Sequence, residues 1–244
     1  MKIIIAKDEK EMSKKAFDIV KQIVTENPAA VLGLATGSTP IGLYDEMARD
    51  HREQGTSYAK IRTVNLDEYK GLSGEHPQSY RYFMEKHLFS RIDVLPENTH
   101  LPDGTAEDEE AECARYNKLL GTLKQDVQVL GIGSNGHIAF NEPGTPFDSV
   151  THVVTLAEST VKDNARLFAS IDEVPRRAFT MGLKNIMNAE RILILACGAN
   201  KAKAVYGLVK GDVTEALPAS ILQRHPDCTL ICDEAAAELI VYKE

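Results

Sequence analysis

The sequence predicts an α/β fold in which one doubly wound, mostly parallel sheet carries helices on both faces. Two observations predict it. Short runs rich in Val, Ile and Leu, bounded by turn residues, recur at Ile3–Ala6, Val31–Ala35, Ile61–Leu66, Val127–Ile132, Val153–Leu156, Ile192–Ala196 and Thr229–Cys232. Apolar runs of this kind are strands buried on both faces, as in a parallel sheet. Amphipathic stretches of helical length separate them, and strand–helix alternation means βαβ units.

The elements follow in order. After Ile3–Ala6, apolar residues at 12, 16, 19, 20, 23 and 24 form one face of a helix from Asp8 to Glu26. Asp8 with Glu11 is placed to make a capping box. A helix starts at Pro40 or Ile41 beyond the second run, since Pro is favoured at the first helical position. Tyr80, Phe83, Met84, His87 and Leu88 form another helical face, and Ala111, Tyr116, Leu119, Leu120 and Leu123 a less clean one. The acidic run Glu107 to Glu112 reads as a solvated first helical turn, where carboxylates suit the positive end of the dipole. There is no internal repeat, low-complexity tract or linker. Residues 1–244 therefore read as a single Rossmann-like domain, a length at which one core is buried without staples.

Composition excludes several classes. Net charge is −8 and no basic stripe is visible, so no nucleic-acid partner is expected. Cysteines at 113, 197, 228 and 232 match neither a zinc pattern nor a CxxC motif. Cys197 and Cys232 sit in apolar runs as small core residues, which suggests a reducing compartment. The N-terminus turns charged after six residues, too soon for a signal peptide. No apolar run approaches the ~18 residues of a membrane span. A cytoplasmic location without membrane contact is expected.

In such folds ligands bind beyond the carboxyl ends of the strands. Four of these ends carry unusual residues. Thr36-Gly37-Ser38-Thr39-Pro40 offers a close-approach glycine and two hydroxyls beside free helix N–H groups, a phosphate cradle by mechanism or simply a well-capped turn. It is not a Walker loop, because no GK[ST] follows. Asn65-Leu66-Asp67-Glu68-Tyr69 holds adjacent carboxylates that point to opposite sides of an extended chain. One of them is placed as a general base, the alternative being a strand end plus an N-cap. Gly131 to Gly136 matches G-x-G-x-x-G literally, but Pro143, Gly144 and Pro146 would break the long helix that a dinucleotide site needs. What remains is a Gly-rich loop carrying Asn135, His137, Asn141 and Glu142, spaced so that Glu142 can fold back and orient the imidazole. Cys197-Gly198-Ala199-Asn200-Lys201-Ala202 places Lys201 near a helix start, where it could reach an anion, and Arg166 is a similar candidate.

TGSTP, LDEY with GLSGEHPQSY, GSNGHIAFNEPG, ARLF and CGANKA occur in this order. Together they resemble the glucosamine-6-phosphate deaminase family, from about residue 30 to about residue 235. GHIAFNEPG and the LDEY-to-HPQSY stretch are specific; TGSTP is shared with the related 6-phosphogluconolactonases. The resemblance implies conversion of D-glucosamine 6-phosphate and water to D-fructose 6-phosphate and ammonia, with no metal or organic cofactor. It implies that His137 opens the sugar ring, that Asp67 moves a proton from C2 to C1, and that Glu142 holds His137. Ser38, Thr39, Arg166 and Lys201, with Gly37, would anchor the phosphate.

The sequence departs from one branch of that family in two places. Asn135 stands where those members carry Asp; it can orient His137 but cannot stabilise an imidazolium by charge, so the pH response should differ. Members activated by N-acetylglucosamine 6-phosphate carry basic residues in the stretch matching Ser149–Leu156 and a longer tail with a tyrosine. Here the stretch reads SVTHVVTL, with His152 and Val154 at those positions, and the chain stops at Tyr242-Lys243-Glu244. No allosteric activation is expected and no hexamer to transmit it; a monomer or small homo-oligomer suffices. The competing readings are a 6-phosphogluconolactonase-like hydrolase, a sugar-phosphate sensor without turnover, and a nicotinamide dehydrogenase.

Overall fold

The computed structural model describes residues 1–156, 161, 165, 168 and 170–241. The elements run β1 (Lys2–Ala6), α1 (Glu9–Glu26), β2 (Val31–Leu34), α2 (Ile41–Gln54), β3 (Arg62–Asn65), β4 (Asp67–Tyr69), α3 (Tyr80–His87), β5 (Thr99–His100) and α4 (Glu109–Thr122). They continue with β6 (Val127–Gly131), β7 (His152–Thr155), β8 (Arg177–Thr180), α5 (Leu183–Met187), β9 (Ile192–Ala196), α6 (Ala202–Lys210), β10 (Cys228–Asp233) and α7 (Glu234–Val241).

Among the described residues, seven strands form one sheet in the order β1-β10-β9-β6-β2-β3-β5, with every pairing parallel. The apolar runs explain it: β2, β9 and β10 are buried along their whole length. Such strands have no face to give to water and must be covered on both sides. One face packs Tyr116 of α4, Leu183 of α5, Val205 of α6 and Ala236 of α7; the other packs Phe17 of α1, Met47 of α2 and Met84 of α3. The fold is therefore the expected doubly wound α/β arrangement. From β2 the chain moves outward through β3 to β5, and from β6 it moves the other way through β9 to β10. The topological switch point lies between β2 and β6, where ligands bind in open α/β sheets.

One expected strand sits elsewhere. Val153–Leu156 becomes β7, which pairs antiparallel with β8 in a separate three-stranded sheet of order β4-β8-β7. Its residues are half-buried to exposed, and among the described residues this edge strand pairs only with β8. The acidic run is also less solvated than its composition suggests. Glu112 is buried, bonded bidentately by Arg115 and by the Asp103 N–H, and Glu109 pairs with Lys70 and Arg177. Asp8 caps α1 through the Glu11 N–H at 2.8 Å, but Glu11 reaches back to Lys7 rather than to Asp8, so only half the capping box forms. Cys113, Cys197, Cys228 and Cys232 are free thiols. No helix among the described residues is long and apolar enough to cross a membrane.

Candidate active site

Sheet register gathers the four strand ends that the sequence marks. β9, β6, β2 and β3 are consecutive neighbours, with Leu195 beside Gly131 and Leu34 beside Asn65. The turns that follow them therefore emerge together around the switch point.

The chain leaves the main sheet at Leu66, whose N–H donates to the Leu34 carbonyl at 3.2 Å and whose carbonyl accepts from Met181 at 2.7 Å. The next residues pair with β8, Asp67 opposite Thr180 and Glu68 opposite Phe179. The strand alternation then sends the two carboxylates to opposite sides. Glu68 is consumed by structure: it accepts the N–H groups of Tyr69, Tyr80 and Arg81 at 2.8, 2.9 and 2.8 Å. Together with Ser79, which accepts from Tyr82 at 3.0 Å, it caps α3. Asp67 is 6 % exposed and makes no hydrogen bond or ion pair among the described residues. Burial, and secondarily the charge of Glu68, push its carboxyl up to about 8. Burial likewise raises Glu68 to about 7 against the pull of the three N–H groups and Arg81. Of the two candidates for a base, Asp67 is the one with an uncommitted carboxylate.

No helix follows β6, and residues 132–142 are turn and loop, so the G-x-G-x-x-G match has no dinucleotide architecture behind it. The His137 ring lies against Gly133; a Cβ there would fall on the imidazole. Gly136 has φ 84° and touches the Leu217 side chain, while Ala219 donates to its carbonyl at 2.9 Å. Ala139, with φ 52°, holds a backbone region that L-residues seldom adopt. Asn141 fixes this turn by donating to the carbonyls of Ile138 at 3.0 Å and Met181 at 2.9 Å. The Phe140 N–H donates to Thr180 Oγ1 at 3.2 Å. Thr180 faces Asp67 across the small sheet, so β8 ties the histidine loop to the buried carboxylate.

The loop's polar groups differ from expectation in one respect. Glu142 Oε1 is 3.6 Å from His137 Nδ1, within Coulomb reach of an imidazolium but beyond a hydrogen bond. Asn135 makes no hydrogen bond to the imidazole among the described residues. Its amide donates to Glu142 Oε2 at 2.7 Å and its carbonyl oxygen accepts the His137 N–H at 3.2 Å. Asn135 thus fixes the carboxylate and the backbone, and acts on the ring only through them.

At the first turn, Gly37 adopts φ 96°, Ser38 is exposed and Thr39 half-buried. α2 begins at Ile41 as expected, and no side chain caps it. At the fourth turn a 3-10 segment, Ala199–Lys201, runs directly into α6. Lys201 is half-buried without an ion pair among the described residues, and burial holds its ammonium below the usual range. Arg166 lies outside the described residues.

Tyr80, legible in the sequence as part of a helix face and of the GLSGEHPQSY stretch, joins the candidate site. Its ring stacks on Phe140 at 6.1 Å and lies 4.8 Å from Tyr69. Burial raises its hydroxyl pKa, as do the neighbouring Tyr69 and the Asp67 charge, and it interacts with the Thr36 side chain. It therefore joins the first turn, the histidine loop and the carboxylate strand. The HPQSY motif was the signal for it.

The chain matches the family model described as glucosamine-6-phosphate isomerases/6-phosphogluconolactonase over residues 7–231. It is 53% identical over 241 residues to a glucosamine-6-phosphate deaminase of Geobacillus sp. (strain WCH70), covering 98% of this chain and 96% of that one. It is 54% identical over 240 residues to a glucosamine-6-phosphate deaminase of Lactobacillus delbrueckii subsp. bulgaricus, covering 98% and 100%. Its fold superposes with a TM-score of 0.96 on a solved monomeric glucosamine-6-phosphate deaminase, at 49% identity and coverage of 98% and 100%. A 6-phosphogluconolactonase from Trypanosoma brucei shares the fold at a TM-score of 0.79 and 22% identity over 97% of both chains. With a family model spanning most of its length and relatives at half identity over nearly all of it, the chain belongs to the glucosamine-6-phosphate isomerase/6-phosphogluconolactonase family.

Proposed function

We propose that the chain is a glucosamine-6-phosphate deaminase, converting D-glucosamine 6-phosphate and water to D-fructose 6-phosphate and ammonia as one catalytic domain in the cytoplasm. The observation that carries this reading is Asp67, a buried carboxylate at the start of β4 with no hydrogen bond or ion pair among the described residues, raised to about 8. A lactonase has no carbon acid to deprotonate and no use for such a base. The deaminase relatives and the 0.96 superposition support the same side.

The steps follow from the groups present. The closed sugar opens when a proton moves between the anomeric hydroxyl and the ring oxygen, a task for an imidazole, whose two ring nitrogens can give and take a proton. His137 takes this role, with Glu142 stabilising its charged form and Asn135 fixing Glu142. Once C1 is a carbonyl, the C2 proton becomes acidic. Asp67 removes it, giving the enolamine, and returns it at C1. Water adds to the resulting C2 imine and ammonia leaves. A carboxylate with a raised pKa is the stronger base, and desolvation supplies that strength. Gly37, Ser38, Thr39 and Lys201, with Arg166, hold the phosphate, so binding energy far from C2 orients the reacting carbons.

Family members with the N-acetylglucosamine 6-phosphate site use basic residues where this chain has Ser149–Leu156. Here His152 bonds the Val150 carbonyl at 2.8 Å. The protein acts as a monomer or small oligomer without that activation, in keeping with the monomeric relative. The test measures ammonia and fructose 6-phosphate from glucosamine 6-phosphate, and hydrolysis of 6-phosphogluconolactone in parallel. Ammonia release with a hyperbolic rate curve, unchanged by N-acetylglucosamine 6-phosphate, is expected. Lactone hydrolysis without ammonia would overturn the reaction; a sigmoidal curve made hyperbolic by that compound would overturn the regulation.

A further inference from the structure

We propose that Asp233, at the carboxyl end of β10, is a positioning residue that holds the Cys197–Lys201 turn in the form that presents Lys201 to the substrate phosphate. The proposal rests on the phosphate role given to Lys201 above.

β10 lies beside β9, with Cys232 opposite Ala196, so the end of one strand reaches the turn that follows the other. The Asp233 carboxylate is 8 % exposed. Both its oxygens are 3.0 Å from the Gly198 N–H. Oδ2 accepts from Cys197 Sγ at 3.0 Å, and Oδ1 accepts from the Ala236 N–H at 2.8 Å, which caps α7. No lysine or arginine pairs with it among the described residues. A buried carboxylate met only by donors is costly to place unless those donors satisfy it. Here two of the three belong to the turn.

That turn needs an anchor. Gly198 sits at φ 92° and ψ 152°, outside the usual basins, and the 3-10 segment Ala199–Lys201 begins at the next residue. The direction in which Lys201 leaves the backbone therefore depends on how Gly198 is held. Burial works to raise the Asp233 pKa, but hydrogen bonds from Cys197, Ala236 and Gly198 bring it below the ordinary carboxylate value, so the acceptor stays ionised near neutrality. Asp233 touches neither reacting carbon nor phosphate in this account; it acts through Gly198 and Lys201.

The experiment compares Lys201→Ala, Asp233→Ser and the double variant in ammonia release, with inorganic phosphate as a competitive probe. Serine keeps a cap for the Ala236 N–H but is too short to hold Gly198. Asp233→Ser should raise KM for glucosamine 6-phosphate by about tenfold, the loss of roughly one charge-assisted contact, with kcat changed less than about twofold. Inhibition by phosphate should weaken by a similar factor. In the Lys201→Ala background, Asp233→Ser should add little further KM increase, because both changes remove the same interaction. If Lys201→Ala leaves KM unmoved, the phosphate role of Lys201 is wrong. If Lys201→Ala raises KM while a folded Asp233→Ser does not, or the two effects multiply, the positioning role is wrong and the phosphate role stands. Should the serine variant fail to fold, Asp233→Asn is judged by the same split, since its amide NH2 would meet a backbone donor.

Discussion

The two halves of the site are built by opposite means. Asp67 stands on a paired strand, buried, with its charge disfavoured and no compensating partner among the described residues. His137 stands on an irregular loop, half-buried, set by a glycine contact, a positive-φ alanine and side chains that bond the backbone. The difference matches the two proton transfers assigned to them. Removing a proton from carbon demands a strong base at a fixed point, and a dry strand end supplies both. Moving a proton between sugar oxygens demands an imidazole open to a ring that must change shape. The same contrast separates Asp67 from its neighbour Glu68, which has equal chemistry but is consumed in capping α3.

The largest expected effect breaks the buried half. Asp67→Asn should lower kcat by roughly 10²–10⁴, the usual worth of a positioned acid–base group. It should also raise the melting temperature. Unfolded Asp67 titrates near its ordinary value and folded Asp67 at about 8, so between these the folded chain retains a proton that the unfolded chain releases. Stability therefore falls as pH rises through that window, and an uncharged amide removes the loss. A melt near pH 8 against one near pH 4 should show a larger Asn-for-Asp gain at the higher pH. The same titration predicts that wild-type kcat/KM rises with pH toward a break near 8; a flat profile from 5 to 8 would contradict the assignment.

Next comes the open half. His137→Gln should lower kcat by roughly 10² with little change in melting temperature, since the ring is half-buried and bonded by no partner at Nδ1. Gly133→Ala should approach the same loss without touching any titrating group, because its Cβ would displace the imidazole. A fully active Gly133→Ala protein would show that the ring position seen here is not the working one.

Glu68→Gln sharpens the contrast between neighbours. It should cost about 1–3 kcal/mol of stability, because an amide NH2 would face N–H donors that the carboxylate now satisfies, while kcat falls far less than for Asp67→Asn. The smallest effect is expected for Asn135→Asp. A second carboxylate beside Glu142 should move the pH profile of ring opening while changing the optimum rate by less than about tenfold.

The parallel sheet was legible because its strands are unbroken apolar runs, and the four strand ends followed from that. The small sheet was not. β4 reads DEY and β8 reads RAFT, too short and too polar to signal burial, and β7 was assigned to the wrong sheet because its apolar run looks like the others. The choice between Asp67 and Glu68 was hidden because it is decided at Tyr80 and Arg81, more than ten residues on, where α3 begins. Asp233 was invisible for the same reason: an aspartate after an apolar run looks like any strand end until Gly198 is seen beside it. His137 and Glu142 were found from spacing, but the way Asn135 joins them, by bonding the Glu142 carboxylate and the His137 backbone N–H, could not be read from it.

Every step proposed for the reaction after ring opening depends on Asp67 being the base. Ammonia release from saturating glucosamine 6-phosphate by Asp67→Asn, measured beside its melting curve, tests it most directly. A folded, more stable protein that still binds the sugar phosphate and releases ammonia at least about a hundredfold more slowly is expected. Undiminished ammonia release from that folded variant would contradict it.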